Sequence, residues 1–248
     1  MVAPVTVSIG PGWTIGPGWS IGYAPVPPAL ILDLDAANYT TVPVNGTTIA
    51  GSGAFTITTL NPSGSMSWDP ANGGIFRKTA PTGTDFLTFG PDYSATSQAY
   101  TVMMVYRSQP SSAGRLLNAN SAAPDWLLGL WDSPSYVQNV FYNGSTFVGA
   151  TSAADNNWQF IWATYNGNPG SPLSQSYVAN ATIPTTTAGT DTAGGGFQGL
   201  RLFGRYDSPT GSSENPTSDV GLVKLWDGVL SLSEIQAQWA AYKTRFGY

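Results

Sequence analysis

The chain has 248 residues, of which 42% are apolar and only 9% charged, with a net charge of −5. That is enough apolar material for one large core, at a charge content far below the roughly 25% of an average soluble domain. Nine Lys and Arg cannot supply the dense basic surface that displaces phosphate counterions, so nucleic-acid binding is excluded. The absence of His and Cys excludes disulfides, thiol nucleophiles, Ser-His-Asp hydrolysis, His-ligated zinc and histidine acid–base catalysis.

The N-terminal segment is a repeat. Ile9-Gly10-Pro11-Gly12-Trp13-Thr14 recurs as Ile15-Gly16-Pro17-Gly18-Trp19-Ser20, and Ile21-Gly22 starts a third copy. Pro and Gly at this spacing exclude a helix and predict short extended pieces broken by turns. Fully extended, such an arm reaches roughly 70 Å. Ile9, Trp13, Ile15, Trp19 and Ile21 left in water would be a liability, so the arm is expected to pack on its own domain or on another chain. Pro25-Val26-Pro27-Pro28 reads as a stiff spacer, which divides the chain into an arm and linker, 1–28, and a domain, 29–248. No basic region followed by an apolar run opens the chain, and no stretch approaches the ~18 apolar residues of a membrane span. Neither a secretory leader nor membrane insertion is expected.

The domain opens with Leu30-Ile31-Leu32-Asp33-Leu34-Asp35, whose alternation has the period of a half-buried strand. Strands are predicted next over 55–60, 65–68, 74–78, 85–89, 100–107, 115–118, 126–131 and 136–142. Four more follow over 158–165, 175–179, 199–206 and 220–226. Asn72-Gly73, Asn143-Gly144, Asn166-Gly167 and Asp227-Gly228 separate them and favour hairpin turns, because these residues tolerate positive φ. The strongest hairpin signal is Phe141-Tyr142-Asn143-Gly144-Ser145-Thr146-Phe147. Thirteen short strands with regular turns predict an antiparallel sandwich or barrel. One helix is expected, from Leu232 to Phe246. Ser231-Leu232-Ser233-Glu234 forms a capping box, and Ile235, Trp239, Tyr242 and Phe246 share one face. Gly247 supplies a stop.

The ending Val220-Gly221-Leu222-Val223-Lys224-Leu225-Trp226 with Leu230-Ser231-Leu232-Ser233-Glu234-Ile235 resembles the last strand and helix of concanavalin A-like, laminin-G-like domains. Leu32-Asp33-Leu34-Asp35-Ala36-Ala37-Asn38 is similar to their first strand. Ala240-Ala241-Tyr242-Lys243-Thr244-Arg245-Phe246-Gly247 is similar to the tail of such domains in bacteriophage, especially cyanophage, virion proteins, and the Gly-Trp-Thr-Ile-Gly arm is similar to arms of cyanophage structural proteins. The resemblance covers both ends of 29–248. It implies an all-β jelly-roll sandwich that binds glycans or proteins, often with calcium, or serves as a non-catalytic architectural module.

Little chemistry is available to such a domain here. Glycoside hydrolysis needs two facing carboxylates, yet the only Glu residues are Glu214, in a Ser/Asn/Pro loop, and Glu234, in the helix cap. Asp33 and Asp35 share a strand face and read best as a solvated face or a strand-end turn. Asp132, Asp155 and Asp207 are candidate calcium ligands, although turn capping explains each. Trp126, Trp131, Tyr136, Arg205 and Tyr206 are candidate glycan contacts. Against them, alternation puts Trp126, Leu128 and Leu130 on one face and Leu127 and Trp131 on the other, the pattern of a strand covered on both sides.

The main expectation is a non-enzymatic virion structural protein, decorating a capsid or belonging to a tail appendage, made in the host cytoplasm. Its arm would attach it to other virion proteins or to copies of itself, in a trimer or larger assembly, without a required cofactor. The alternatives are a carbohydrate-binding module for host-surface recognition and, more remotely, a glycoside hydrolase.

Overall fold

The computed structural model describes residues 26–49, 55–61, 63–80, 85–92, 99–108, 114–119, 126–133, 136–142, 147–150, 156–167, 172–179, 185–190, 197–204 and 216–248. For 92, 108, 130–133, 136–142, 147–150, 172–179 and 185–190 the backbone alone is described. The repeat arm, with Ile9, Trp13, Ile15, Trp19 and Ile21, lies outside the described residues.

The described strands, numbered in chain order, form two eight-stranded antiparallel sheets. The front sheet runs β14 (Thr185–Thr190), β13 (Pro172–Ala179), β12 (Gln159–Tyr165), β7 (Tyr100–Ser108), β16 (Ser218–Asp227), β5 (Ile75–Lys78), β4 (Met66–Asp69). β1 (Ala29–Asp35) pairs with β16 as well. The back sheet runs β11 (Phe147–Ala150), β10 (Tyr136–Tyr142), β9 (Leu127–Ser133), β8 (Leu117–Ala119), β15 (Gln198–Leu202), β6 (Phe86–Asp92), β3 (Thr56–Leu60), β2 (Thr47–Thr48). β16 is the organising strand of the front sheet. β7 flanks it on one side, while β5 pairs with its first residues and β1 with its last ones.

The core lies between the sheets. From the front sheet, β7 contributes Tyr100, Val102, Met104 and Tyr106, and β12 contributes Ile161, Ala163 and Tyr165. The intervening residues Met103, Val105, Phe160 and Trp162 face outward and are buried too, in a second cluster with Leu222, Trp226, Ile235, Trp239 and Phe246. The central strands are therefore apolar on both faces, because each is covered twice. On β16, Val220 joins the inner core together with Val223 and Leu225, a change of parity that a bulge between Val220 and Leu222 accounts for.

The cover on the outer face is α1 (Leu232–Tyr242) and a following 3₁₀ turn (Lys243–Phe246). The capping box forms as expected: the Ser231 hydroxyl accepts from the Glu234 N–H, and the Glu234 carboxylate accepts from the Ser231 N–H at 2.7 Å. The expected helix to Phe246 tightens in its last turn, and this seats Phe246 against Trp158, ring centroids 4.7 Å apart. Arg245 pins that turn, donating to Asp35 at 2.7 Å and to the carbonyls of Asn72 and Gly74 at 2.6 and 2.7 Å. The Asn72-Gly73 turn is a hairpin turn as predicted, with φ of 51° and 74°. β2 and β14, two Thr-rich strands without apolar alternation, are absent from the sequence-based prediction.

Candidate functional site

The sheet register builds one charged row on the front sheet. Asp219 of β16 stands opposite Arg77 of β5 on one side and Arg107 of β7 on the other. Phe76 belongs to the inner core, so its neighbour Arg77 projects from the outer face. Asp219 accepts from Arg77 Nε at 2.7 Å and Nη2 at 3.2 Å, and from Arg107 Nη2 at 2.5 Å and Nε at 3.1 Å. Arg77 Nη1 reaches Asp69 of β4 at 2.5 Å, and the bond to Asp219 holds the Arg77 guanidinium further into its charged form than usual. Two cations and two anions thus interlock, and the local charge is balanced.

This row floors a recess of about 330 Å³ lined by Arg77, Lys78, Thr79, Arg107, Asn156, Ser218 and Asp219. On the helix side Arg107 lies over the Trp158 ring, 5.0 Å from its centroid, so the recess borders the aromatic cluster beneath the C-terminal turn. Asn156 adopts a left-handed conformation with φ of 61°, a backbone that Asn tolerates better than most residues. Carboxylate, guanidinium, amide and hydroxyl groups on so short a stretch of surface are the groups that recognise polyhydroxyl ligands.

Lys78 turns the other way, into the interior. Its ammonium donates to the carbonyls of Asp85 and Phe203 at 3.0 and 2.9 Å, and burial lowers its pKa to about 8 against the opposing pull of Asp85. Burial works to raise the Asp85 pKa, but the hydroxyls and N–H groups of Ser63 and Ser65 outweigh it and hold Asp85 below its usual range.

Trp126 is not a glycan contact. It is fully buried in the inner core; its indole N–H donates to the Tyr100 hydroxyl at 2.8 Å, and its ring packs on Phe197. Asp132 is not in a loop. It lies within β9 opposite Val137, in a hairpin whose pairing continues to Ser133 and Tyr136. Trp131 and Tyr136 lie in the same hairpin, paired with Gln138 and Ser133, and their side chains are outside the description. Arg205, Tyr206, Asp155 and Asp207 lie outside the described residues. β15 ends at Leu202, before the predicted limit of 206. Asp33 and Asp35 are structural: Asp33 pairs with Lys224 at 2.8 Å, while Asp35 caps the 3₁₀ turn that follows β1 and binds Arg245. Among the described residues no group of three or more Asp or Glu is placed to hold a metal.

Arg77, Arg107 and Asp219 were not among the candidates read from the sequence. The signal for them is faint: each lies towards the end of a strand rich in apolar residues, in a chain with few charges.

No family model matches the chain, and no characterised protein matches it in sequence. Solved structures match it in fold. The binding domain of Paraclostridial Mosquitocidal Protein 1 superposes with a TM-score of 0.60 at 9% identity, covering 86% of this chain and 52% of that one. A botulinum neurotoxin DC binding domain solved in complex with SialylT gives 0.56 at 9% identity, covering 86% and 51%. Domain 4 of AbnA, a GH43 extracellular arabinanase from Geobacillus stearothermophilus, solved in complex with arabinotriose, gives 0.52 at 14% identity, covering 86% and 98%. The chain spans about half the length of the toxin domains and nearly all of the arabinanase domain. At these identities the likeness is one of architecture: the protein is an antiparallel β-sandwich with one short C-terminal helix, the fold of these binding domains.

Proposed function

We propose that this protein is a non-catalytic binding module for glycans, and that the recess around Asp219 holds the sugar. The observation that carries this reading is the Arg77–Asp219–Arg107 row at the floor of a polar recess. Adjacent sugar hydroxyls each donate and accept, and a carboxylate flanked by guanidiniums answers one with an acceptor and the next with a donor. The groups are held by their own ion pairs, so little order is lost on binding. Both carboxylates of the row are engaged by Arg77, an arrangement suited to holding hydroxyls rather than to passing protons. The fold shared with a domain solved with arabinotriose and with one solved with SialylT supports the same reading.

A glycan array that includes arabinan oligosaccharides and sialylated glycans tests it. Binding is expected for the unaltered protein, with or without a calcium chelator, and loss of about tenfold or more in affinity for Arg107→Ala. A flat array with folded protein, or full binding by the variant, overturns it.

The hexapeptide repeat of 9–22 favours a second, compatible role, in which residues 1–24 attach the domain to a larger assembly such as a phage virion. Deleting them is expected to leave a folded, glycan-binding domain that no longer assembles. Normal assembly of the truncated protein counts against this role.

A further inference from the structure

We propose that the recess around Asp219 selects acidic sugars, and that Arg107 is the residue that reads their carboxylate. This rests on the reading of the recess as a glycan site and names the class of glycan it takes.

The charged row is an alternating series. It crosses adjoining strands in the order Asp69 on β4, Arg77 on β5, Asp219 on β16 and Arg107 on β7, so the signs run minus, plus, minus, plus. Arg77, inside the series, is engaged at both ends: Nε and Nη2 bond to Asp219, and Nη1 bonds to Asp69. Arg107, at the end of the series, is engaged on one side only. Its Nε and Nη2 both donate to Oδ2 of Asp219, and among the described residues nothing accepts from its Nη1.

The strand beyond β7 supplies no counter-ion. β12 continues the sheet with Gln159 opposite Tyr106, so the position beside Arg107 falls to Trp158. An acid there would close the series. The indole instead meets the guanidinium as a cation–π partner, 5.0 Å from Cζ to the ring centroid, which adds neither a negative charge nor an acceptor atom. Trp158 is itself buried beneath the C-terminal turn. It holds Arg107 in place and offers no ring face to a sugar.

What remains is a pair of donors, Nη1 and the second N–H of Nη2, on a guanidinium that lines the recess and whose side chain is 27% exposed. Two parallel N–H groups in one plane match the two oxygens of a carboxylate. Because Asp219 and Trp158 already fix the guanidinium, little order is lost when they are used. Exposed Asn156 lines the same recess, and its amide can serve a hydroxyl beside the carboxylate as donor or acceptor. A carboxylate carried on a hydroxylated ring is a sugar acid, such as a uronic acid. Bound there, it becomes the next negative member of the series, and the Arg107 guanidinium separates it from Asp219.

Titration calorimetry on the full chain compares trigalacturonate and sialyllactose, each against its own methyl ester, so that every acid has a neutral counterpart of the same shape. At least one acid is expected to bind about tenfold or more tighter than its ester. Raising the salt from about 50 to about 500 mM is expected to weaken the acid and leave the ester unchanged. Arg107→Lys keeps the charge but not the paired donors, and is expected to remove most of the preference, with its fold checked by circular dichroism. The ester and salt comparisons use the unaltered protein and decide the matter even if that variant unfolds. Esters that bind as well as their acids, an acid affinity indifferent to salt, or a folded Arg107→Lys that keeps the full preference overturns the proposal. Binding confined to neutral glycans on the array overturns it too and leaves the glycan reading standing, whereas a flat array with folded protein removes both.

Discussion

The sharpest consequence of this packing falls on Gly221, at the bulge of β16. A Cβ added there would lie 2.3 Å from Cζ and 2.5 Å from Cε1 of Phe246. Carbon atoms in contact settle at roughly 3.5 Å or more, so in Gly221→Ala the ring must retreat by about 1.2 Å. It has little freedom to do so. Phe246 is buried against Trp158, and the preceding Arg245 is fixed to Asp35, Asn72 and Gly74. Overpacking of this kind costs about 1–3 kcal/mol, and the smaller backbone entropy of Ala in the unfolded chain returns only about 0.4–1. Urea denaturation followed by tryptophan fluorescence is expected to show a lowered midpoint at unchanged slope. A double-mutant cycle isolates the cause. Phe246→Ala alone is expected to lose about 3–5 kcal/mol, but in that background Gly221→Ala meets no ring and is close to neutral. The two changes should therefore couple by about 1–3 kcal/mol. Additive effects, or a wild-type midpoint for Gly221→Ala, would refute the seating of the C-terminal turn on β16.

Three further outcomes are expected. Trp126→Ala should destabilise by about 3–5 kcal/mol, as a large core truncation, while any glycan binding by the protein that remains folded is unchanged; a mild stability loss with lost binding would reverse its assignment. Asp219→Asn should lose glycan binding and about 1–2 kcal/mol of stability, read by the same array and by urea denaturation, because two guanidiniums lose their shared carboxylate; undiminished binding would separate the row from the function. Lys78 should make stability rise with alkaline pH. Its folded pKa of about 8 lies below the 10.5 of an ordinary lysine, so between these values the unfolded chain holds more protons, and the cost of burying the charge is progressively relieved. Between about pH 7.5 and 9.5 the gain is about 2 kcal/mol, and Lys78→Met should abolish that slope.

Much of the fold was legible in the sequence, because the strands that matter most carry strong local patterns. Leu32 and Leu34 alternate with Asp33 and Asp35, and in the structure the leucines are inside and the aspartates outside. The helix announced itself through its capping box and through Ile235, Trp239 and Phe246. The Thr-rich strands β2 and β14 carry no alternation, and pairing with a neighbour creates them. The candidate site was nearly invisible for a related reason. Arg77, Arg107 and Asp219 are joined only by strand register, with 142 residues separating Arg77 from Asp219 and 112 separating Arg107 from it. No spacing rule reaches across such distances. Trp126 misled in the opposite direction: an aromatic at the start of a predicted strand suits a sugar platform, but the Tyr100 hydroxyl gives its N–H a partner inside, and burial wins.

The position of β16 has a consequence for how the protein is made. The strand at the heart of the front sheet leaves the ribosome after its partners β1, β5 and β7. Until Ser218–Asp227 has been synthesised, β7 carries apolar side chains on both faces and lacks one of its two neighbours, and β1 has no described partner at all. From the synthesis of β7 to that of β16 the front sheet is therefore unfinished, the state in which exposed strand edges are most prone to aggregate. Few Lys, Glu and Arg guard it, so production at low temperature or with a holding chaperone is expected to raise the yield of folded protein.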